Sequence, residues 1–391
     1  MHWKEYKFSD FVTINPQVKL KMGGTYSFVE MKDLEPSNKF CEPSAARLLS
    51  GGTRFEENDT LFARITPCLE NGKICQVRNL NNGWGFGSTE FHVLRGKENV
   101  STNDFVYYLS RWRDVRDFAE INLHGTSGRQ RMPKEAFNEL ELSLPPLPEQ
   151  EAIAEVLSSL DDKIDLLHRN NKTLETMAET LFRQWFVEEA DDSWEQTTLY
   201  DIIELVGGGT PKTENEEYWN GPIKWISAKD ITPNHKGFII KTEKSISESG
   251  LKHSSAKVLD KYSIIISARG TVGKYCLIAE PMTFSQSNYG IKPKHKGNNF
   301  FTYLVVANSV EELQSAAYGT VFDTITTKTF SELKLNVPPL DEIVKFENTI
   351  APYFFKIEAN TKQIHNLGNI RDTLLPKLMN GTLKVNNPVT A

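Results

Sequence analysis

A set of basic and hydroxyl side chains recurs beside tight turns in both halves of the chain. The set comprises Lys32, Arg64, Thr66 and Lys73 in the first half, and Lys229, Arg269, Thr271 and Lys274 in the second. Arginine and lysine can bond guanine edges, and backbone amides at glycines suit phosphates. A single residue of this kind is more often a solvated surface residue, but recurrence at matching places favours a shared role. The pattern predicts two related nucleic-acid contact surfaces.

Further polar residues extend each predicted surface. They are Arg129, Gln130 and Arg131 in the first half, and Thr210, Lys212 and Gln286 in the second. Glutamine can bond an adenine edge as arginine bonds that of guanine. The glycine-rich run GGGTPKT (207–213), which holds Thr210 and Lys212, lacks G-x-G-x-x-G spacing and is a weak signal for phosphate binding. The differing polar residues favour two readers of different base sequences.

The sequence offers no recognisable catalytic motif. It contains no HExxH pair for zinc and no G-x-x-x-x-G-K-[ST] loop for a nucleotide. An adenine-N6 methyltransferase would be expected to carry an Asn/Asp-Pro-Pro-aromatic tetrapeptide, and APYF (351–354) does not fit it. The carboxylate pair Asp161-Asp162 is typical of the solvated face of a helix. The residues therefore predict no metal site and show no familiar catalytic motif.

Composition narrows the class of protein. Hydrophobic residues make up 39% of the 391 residues, which is enough for folded cores. No apolar run approaches the ~18 residues of a membrane helix, and the N-terminus lacks a secretory pattern. The four cysteines form no C-x-x-C pair and indicate reduced thiols. We expect a cytoplasmic protein without a membrane partner.

The net charge of −6 is unevenly distributed along the chain. Residues 148–192 hold 4 Lys and Arg against 12 Asp and Glu, whereas residues 1–147 and 193–340 are close to neutral. An acidic segment is a poor surface for DNA and suits a protein partner instead. The charge of the whole chain is therefore uninformative about a nucleic-acid partner.

The chain repeats itself with a shift of 193 residues. ELELSLPPL (139–147) aligns with ELKLNVPPL (332–340), and the alignment continues without a gap into two helical stretches. Upstream, SFVEMKDLEP (27–36) resembles KWISAKDITP (224–233) more loosely. The repeat predicts two copies of a globular domain, each followed by a long helix.

Apolar residues in both helical stretches recur at alternating steps of three and four, which indicates a coiled-coil seam. Asn171 and Asn360 lie in the seams, where a buried asparagine usually fixes the register. Pro352 is expected to kink the second helix and Pro376 to end it. The alternative is that each helix only covers its own domain. The predicted seam contains Ile153, Leu157, Leu160, Ile164, Leu167, Asn171, Leu174, Ala178, Leu181 and Trp185, and Phe346, Ile350, Tyr353, Ile357, Asn360, Ile364, Leu367, Arg371, Leu374 and Leu378.

Short β-like runs, broken by glycine and proline turns, precede each helix. We predict an α+β fold with two tandem globular domains, each with a mixed or barrel-like sheet. The two long helices should pair as an antiparallel coiled coil, with an approximate two-fold axis. The predicted segments are residues 1–147 (domain), 148–190 (helix), 191–340 (domain) and 341–391 (helix and tail).

The run LPPLPEQEAIAEVLSSLDDKI (144–164) and the residues that follow it to 186 resemble the central conserved region of specificity (S) subunits of type I restriction-modification enzymes. Residues 333–381 resemble their C-terminal conserved region, although Asp341 and Ile343 replace a proline and a glutamine of the pattern. This resemblance implies that the globular halves are target recognition domains. Each would read one part of a split, asymmetric double-stranded DNA site, and the helices would set the spacer.

The same resemblance implies a non-catalytic chain that carries no cofactor. Two modification (M) subunits, which bind S-adenosylmethionine and methylate adenine, would dock on the helices. Restriction (R) subunits, which use ATP and Mg, would complete the enzyme. Lengthening either helix should change the gap in the recognised site.

Two other classes of function stay open from the residues. A stand-alone DNA-modifying enzyme would itself bind S-adenosylmethionine, which calorimetry on the isolated protein can measure. A coiled-coil scaffold without a DNA role would show no salt-dependent DNA binding.

Overall fold

The computed structural model describes residues 3–126, 128–318 and 324–385. It has α+β architecture, and each half contains mixed sheets followed by one long helix. The strands of the first half are β1 (Lys4–Lys7), β2 (Val12–Ile14), β3 (Thr25–Val29), β4 (Phe40–Cys41), β5 (Ala45–Leu48), β6 (Thr53–Glu56), β7 (Thr60–Ala63), β8 (Ile74–Val77), β9 (Trp84–Gly87), β10 (Phe91–Gly96) and β11 (Glu141–Leu144). Its helices are α1 (Phe8–Phe11), α2 (Asn103–Arg111), α3 (Arg113–Ile121) and α4 (Leu147–Arg183).

A five-stranded sheet with the order β2-β10-β7-β8-β4 forms the centre of the first half. Its edge strand β4 runs parallel to β8, and the other pairs are antiparallel. The first half also contains a four-stranded sheet with the order β5-β3-β9-β6. Strand β1 pairs with β11, with Lys4 opposite Leu144, so the start of the domain is bonded to the strand that leads into α4.

The second half repeats this topology. Its strands are β12 (Glu195–Thr198), β13 (Ile203–Gly207), β14 (Trp219–Ile226), β15 (Phe238–Ile239), β16 (Lys244–Ile246), β17 (Ile264–Ser267), β18 (Tyr275–Ile278), β19 (Thr283–Phe284), β20 (Asn288–Pro293) and β21 (Lys334–Val337). Its helices are α5 (Leu199–Ile202), α6 (Ala228–Ile231), α7 (Glu248–Lys252), α8 (Asn299–Tyr318), α9 (Thr327–Glu332) and α10 (Leu340–Met379). The sheet order β13-β20-β17-β18-β15, with β15 parallel to β18, matches that of the first half, and β12 pairs with β21 as β1 does with β11. The predicted internal repeat is confirmed.

The backbone forms two compact units. One contains residues up to 167 together with those from 363 onward, and the other contains residues 168–362. Each unit therefore holds one globular half, part of α4 and part of α10. This division cuts across both long helices, and the boundaries of the four predicted segments stay predictions.

The two long helices run antiparallel within each unit. In the first unit, Nη1 of Arg371 lies 2.6 Å from Oδ1 of Asp161. In the second, Nδ2 of Asn360 donates to Oδ1 of Asn171 at 2.8 Å, and Phe346 packs against Phe182. In these contacts the residue number on α10 decreases as the residue number on α4 increases. The predicted antiparallel pairing is therefore confirmed.

Residues of the predicted seam are buried or half-buried in the structure. Ile153, Leu157, Ile164, Leu167, Asn171, Ile350, Ile357 and Asn360 are buried, and Leu160, Leu174, Leu181, Ile364, Leu367 and Leu374 are half-buried. The helices also pack on the globular halves, because Ile153 and Leu378 share a hydrophobic cluster with Phe8 and Phe137 of the first half. Each helix therefore combines the two predicted modes of packing.

Two predictions about the helices are wrong. Asp161 is 2% exposed and forms a buried ion pair, because its position on α4 faces Arg371 rather than solvent. Helix α10 ends at Met379, three residues past Pro376. A proline lacks only its own donor, and the amide of Asn380 still reaches the carbonyl of Pro376.

The glutamine of the hinge motif holds the start of α4 against the first half. The side chain of Gln150 is buried, and its Nε2 donates to the carbonyl oxygens of Val100 and Pro145 at 2.8 and 2.9 Å. Its Oε1 accepts from the amide of Thr102, which N-caps α2. Two of these hydrogen bonds therefore join α4 to the segment that leads into α2, and the third holds the hinge itself.

The second copy builds the same joint differently. Ile343 replaces the glutamine and packs in the apolar core of the second unit. One turn later, the buried carboxylate of Glu347 accepts from the amides of Phe300 and Phe301 at 3.0 and 2.7 Å, at the start of α8. The departure at Ile343 is thus compensated by an acceptor elsewhere on α10.

We expect Glu347→Gln to flatten the dependence of stability on pH. Burial raises the pKa of Glu347 to about 7 in the folded protein. The folded state then binds the proton more tightly than the unfolded state, so the free energy of unfolding falls as pH rises toward 7, by about 2–3 kcal/mol. Denaturant titrations of the second unit at pH 5, 6, 7 and 8 measure this slope. The exposed Glu342→Gln is the control, and an unchanged slope in Glu347→Gln would contradict the assignment.

Candidate nucleic-acid interface

The predicted residues of the first half converge on the loop after β7. The amide of Thr66 donates to the carbonyl of Gln130, and the amide of Gln130 donates back to the Thr66 hydroxyl, both at 3.0 Å. Ile65 and Arg131 form an isolated β-bridge. The structure therefore brings Arg64–Thr66 and Arg129–Arg131, which are distant in sequence, into one surface.

Carboxylates and carbonyls hold several groups of this surface. The guanidinium of Arg131 pairs with Glu90 at 2.7 Å. Nε of Arg64 is buried with no hydrogen-bond partner among the described residues. The backbone of Arg64 lies between the carbonyl of Glu90 and the amide of Met132. Arg129 is exposed and has no ion pair among the described residues.

Lys73 has a role inside the domain. Its Nζ donates to the carbonyl oxygens of Met31 and Leu34 at 2.8 and 3.1 Å, which fixes the turn that carries Lys32. Lys32 itself is exposed and lies 2.7 Å from Glu30. Gly72 has a φ of +69°, so the Gly-Lys pair marks a turn that requires glycine and not a phosphate-binding loop. Lys73 therefore positions Lys32.

The predicted residues of the second half lie on equivalent loops. Arg269 is exposed after β17, and the preceding Ala268 amide donates to the carbonyl of Ser287, next to Gln286. The Gln286 amide oxygen accepts a hydrogen bond from Thr210. Lys212, two residues further on, is exposed, and its carbonyl accepts from Nε1 of Trp219.

A second group of the same half lies beside α6. The hydroxyls of Thr271 and Thr232 are 3.2 Å apart, and Lys229 on α6 is 3.5 Å from Glu243. Lys274 is half-buried, and its backbone pairs with Ser267. The loop of Arg269 therefore connects both groups of predicted residues.

The structure corrects one detail of the repeat. The carbonyl of Ala268 accepts from the amide of Ile325 as that of Arg64 accepts from Met132, so Ala268 is the equivalent of Arg64. Arg269 lies one residue later and is exposed, whereas Arg64 is half-buried. The loops match, but the two arginines do not occupy the same position.

The prediction missed a cleft in the first half. It has a volume of about 460 Å³ and is lined by the polar residues Asn15, Gln17, Lys19 and Arg54, among others. Nδ2 of Asn15 bonds to His92, whose Nε2 bonds to the carbonyl of Met132 beside Arg64. Burial lowers the pKa of His92 to about 4, so the ring is neutral at pH 7. Thr210 and Lys212 lie on the loop after β13. Lys19 lies on the matching loop after β2, so a comparison of these two loops would have identified it.

Two classes of site are absent from the described residues. Within residues 3–126, 128–318 and 324–385, no group of His, Cys, Asp and Glu side chains could hold a metal ion. Over the same ranges no helix is both long and apolar enough to span a bilayer.

A comparison with protein families accounts for the repeated architecture. The family model "type I restriction modification DNA specificity domain" matches the chain twice, over residues 2–176 and 191–372. The chain belongs to this family. Each match covers one globular half together with most of the long helix that follows it.

Relatives in the DNA specificity family resemble the chain over its length. The HindI specificity subunit of Haemophilus influenzae is 24% identical, over 97% of this chain and 99% of its own. The MjaIX specificity subunit of Methanocaldococcus jannaschii is 27% identical, over 98% of this chain and 94% of its own. The crystal structure of the type I restriction-modification S subunit from M. genitalium has a TM-score of 0.57, with 18% identity and 96% of both chains covered. This last likeness shows a shared fold.

Proposed function

We propose that the chain is the DNA-reading specificity subunit of a type I restriction-modification system. Each globular half reads one part of a bipartite, asymmetric site, and the paired helices set the gap between the parts. The observation that carries the proposal is the double match to the DNA specificity family, with one domain and one helix in each copy. The proposal assigns base recognition to this chain and catalysis to its partners.

The geometry of the loops after β7 and β17 supports base reading. Both loops carry arginine near threonine. The first is bonded to Gln130, and the second begins at Ala268, which is bonded to the carbonyl of Ser287, next to Gln286. Arginine and glutamine suit guanine and adenine respectively. Gln130 is flanked by two arginines, whereas Gln286 is flanked by two serines. This difference in polar side chains supports the recognition of two different half-sites.

The helices offer surfaces for two modification subunits. Several large apolar side chains are more than 40% exposed there: Leu166 and Met177 on α4, and Val344, Phe355 and Ile370 on α10. Residues 148–192 also carry the acidic excess of the chain. Exposed apolar side chains among acidic residues suit a protein partner better than DNA.

Methylome sequencing tests the proposal. The full-length chain, co-expressed with the modification subunit of its system, should direct adenine methylation to a split site with a fixed gap. The isolated chain should bind DNA with an affinity that falls steeply with salt, because counterions are released from phosphates. Binding of S-adenosylmethionine by the isolated chain, or methylation at a continuous site, would contradict the proposal.

Arg269→Ala should weaken recognition of one half-site only. Arg269 is exposed on the loop after β17, and losing one base or phosphate contact costs about 1–3 kcal/mol, or roughly tenfold in affinity. Binding to DNA with each half-site scrambled in turn measures the effect. Lys334→Ala, an exposed basic residue on β21 in the same half, is the control. An equal loss at both half-sites would contradict the assignment of one half-site to each domain.

A further inference from the structure

Two buried polar pairs interrupt the apolar contact between the helices. Asp161 and Arg371 are 2% and 5% exposed, and Asp161 also accepts from the hydroxyl of Tyr108 at 2.7 Å. Asn171 and Asn360 are 8% and 0% exposed and bond to each other at 2.8 Å. In both pairs, one residue belongs to α4 and the other to α10.

The internal repeat predicts which residues would face each other if either helix paired with the same helix of a second chain. The shift of 193 residues converts residue 360 into residue 167 and residue 371 into residue 178. Two α4 helices paired in the same register would therefore place Asn171 opposite Leu167, and Asp161 opposite Ala178. Two α10 helices would place Asn360 opposite Ile364, and Arg371 opposite Phe354, because Phe354 corresponds to Asp161.

Apolar residues occupy those equivalent positions in the native fold. Ala178 and Phe354 are 0% and 3% exposed and belong to the core of the second unit, where Phe354 stacks on Phe300. The polar pairs therefore have no counterpart at the matching point of the other unit. Either self-pairing would bury a charge and an amide against hydrocarbon, which is strongly unfavourable.

We infer that Asp161–Arg371 and Asn171–Asn360 select the pairing of α4 with α10 and reject the pairing of either helix with a second copy of this chain. The helices share the same seam period and the same hinge, so apolar packing alone does not distinguish the two arrangements. The polar pairs supply the distinction, because the Asp161–Arg371 and Asn171–Asn360 bonds form only when α4 meets α10. Selection of this kind does not depend on DNA binding.

Cross-linking of the full-length chain tests this inference. Self-pairing of α4 brings residue 170 of one copy beside residue 170 of the other, and Asn170 is exposed. The reporter is Asn170→Cys in a Cys68→Ser background, since the other three cysteines are buried. A short bismaleimide is applied to the native chain and to the variant Asp161→Leu/Asn171→Leu. This variant suits self-pairing of α4 and removes the α4 partners of Arg371 and Asn360. The double variant should give at least tenfold more cross-linked dimer.

A matched variant controls for non-specific association through the added apolar surface. Asp162→Leu/Lys172→Leu introduces the same two leucines at exposed positions of α4 and should remain at the native level of dimer. Asn171→Leu alone keeps the Asp161–Arg371 pair and should give an intermediate yield, which covers the case that the double variant fails to fold. Equal yields in the native and Asn171→Leu chains, or an equal rise in the exposed control, would overturn the inference.

Discussion

Arg371→Ala is expected to lower the free energy of unfolding of the first unit by about 3–5 kcal/mol, because it leaves a buried charge without its partner. Asp161 would keep only the hydroxyl of Tyr108, and the carbonyl of Ser37 would lose its bond to Nη1 of Arg371. Burial disfavours a lone carboxylate far more than a paired one. Hydrogen exchange of peptides covering 153–167 and 367–379 reports the stability of this unit separately from the second.

Two further variants test whether the stability lost in Arg371→Ala comes from the unpaired charge. Arg113→Ala removes an ion pair with Asp117 in which Arg113 is 85% exposed, and it should change stability by less than about 0.5 kcal/mol. Asp161→Leu/Arg371→Met replaces both charges and should recover most of the stability lost in Arg371→Ala. A double variant as unstable as Arg371→Ala would show that the loss comes from packing and not from an unpaired charge.

Insertion of one heptad in each long helix is expected to lengthen the gap in the recognised site by about three base pairs. Seven helical residues add about 10.5 Å, at about 1.5 Å per residue, and B-DNA rises about 3.4 Å per base pair. The insertions belong between Leu167 and His168 and between Lys362 and Gln363, the two points at which the chain passes from one compact unit to the other. A whole heptad preserves the seam, so both half-sites should stay the same.

Methylome sequencing of cells that express the lengthened chain with its modification subunit gives the gap directly. A heptad inserted in α4 alone should also change the gap and leave both half-sites the same, because a whole heptad preserves the seam period. New half-site bases with an unchanged gap would contradict the role of the helices as a spacer. This prediction rests on the proposed function, whereas that for Arg371 does not.

Periodic features of the fold could be predicted from the sequence, and tertiary partnerships could not. The seam is visible because apolar residues repeat every three or four positions, and Arg371 fell on it as an apparent exception. Nothing local to Asp161 distinguishes it from the exposed Asp162, because burial depends on the residue facing it from α10. The same holds for Lys73, whose amine binds carbonyls about forty positions earlier in the chain.

The candidate interface shows the same limit. The recurrence of Arg-x-Thr predicted that these two loops are equivalent, and they do follow the matching strands β7 and β17. The alignment of the motifs placed Arg64 opposite Arg269, which is wrong by one residue. The short motif is more alike in the two halves than the ends of the strands that precede it. Lys19 and Arg54 were missed because the cleft forms from segments with no common motif.

The hinge contacts have a consequence for how such proteins diversify. Gln150 reaches only main-chain atoms, of Val100, Pro145 and Thr102, and Glu347 likewise binds only the amides of Phe300 and Phe301. These hydrogen bonds do not depend on the side chains of the globular half, although the apolar packing of Ile153 near Phe8 and Phe137 does. Recombination near the hinge could therefore graft a new reading domain onto an old helix without rebuilding these hydrogen bonds. If the proposed function holds, a lineage could gain a new specificity in a single genetic event, and modification subunits that dock on the helices would meet unchanged surfaces.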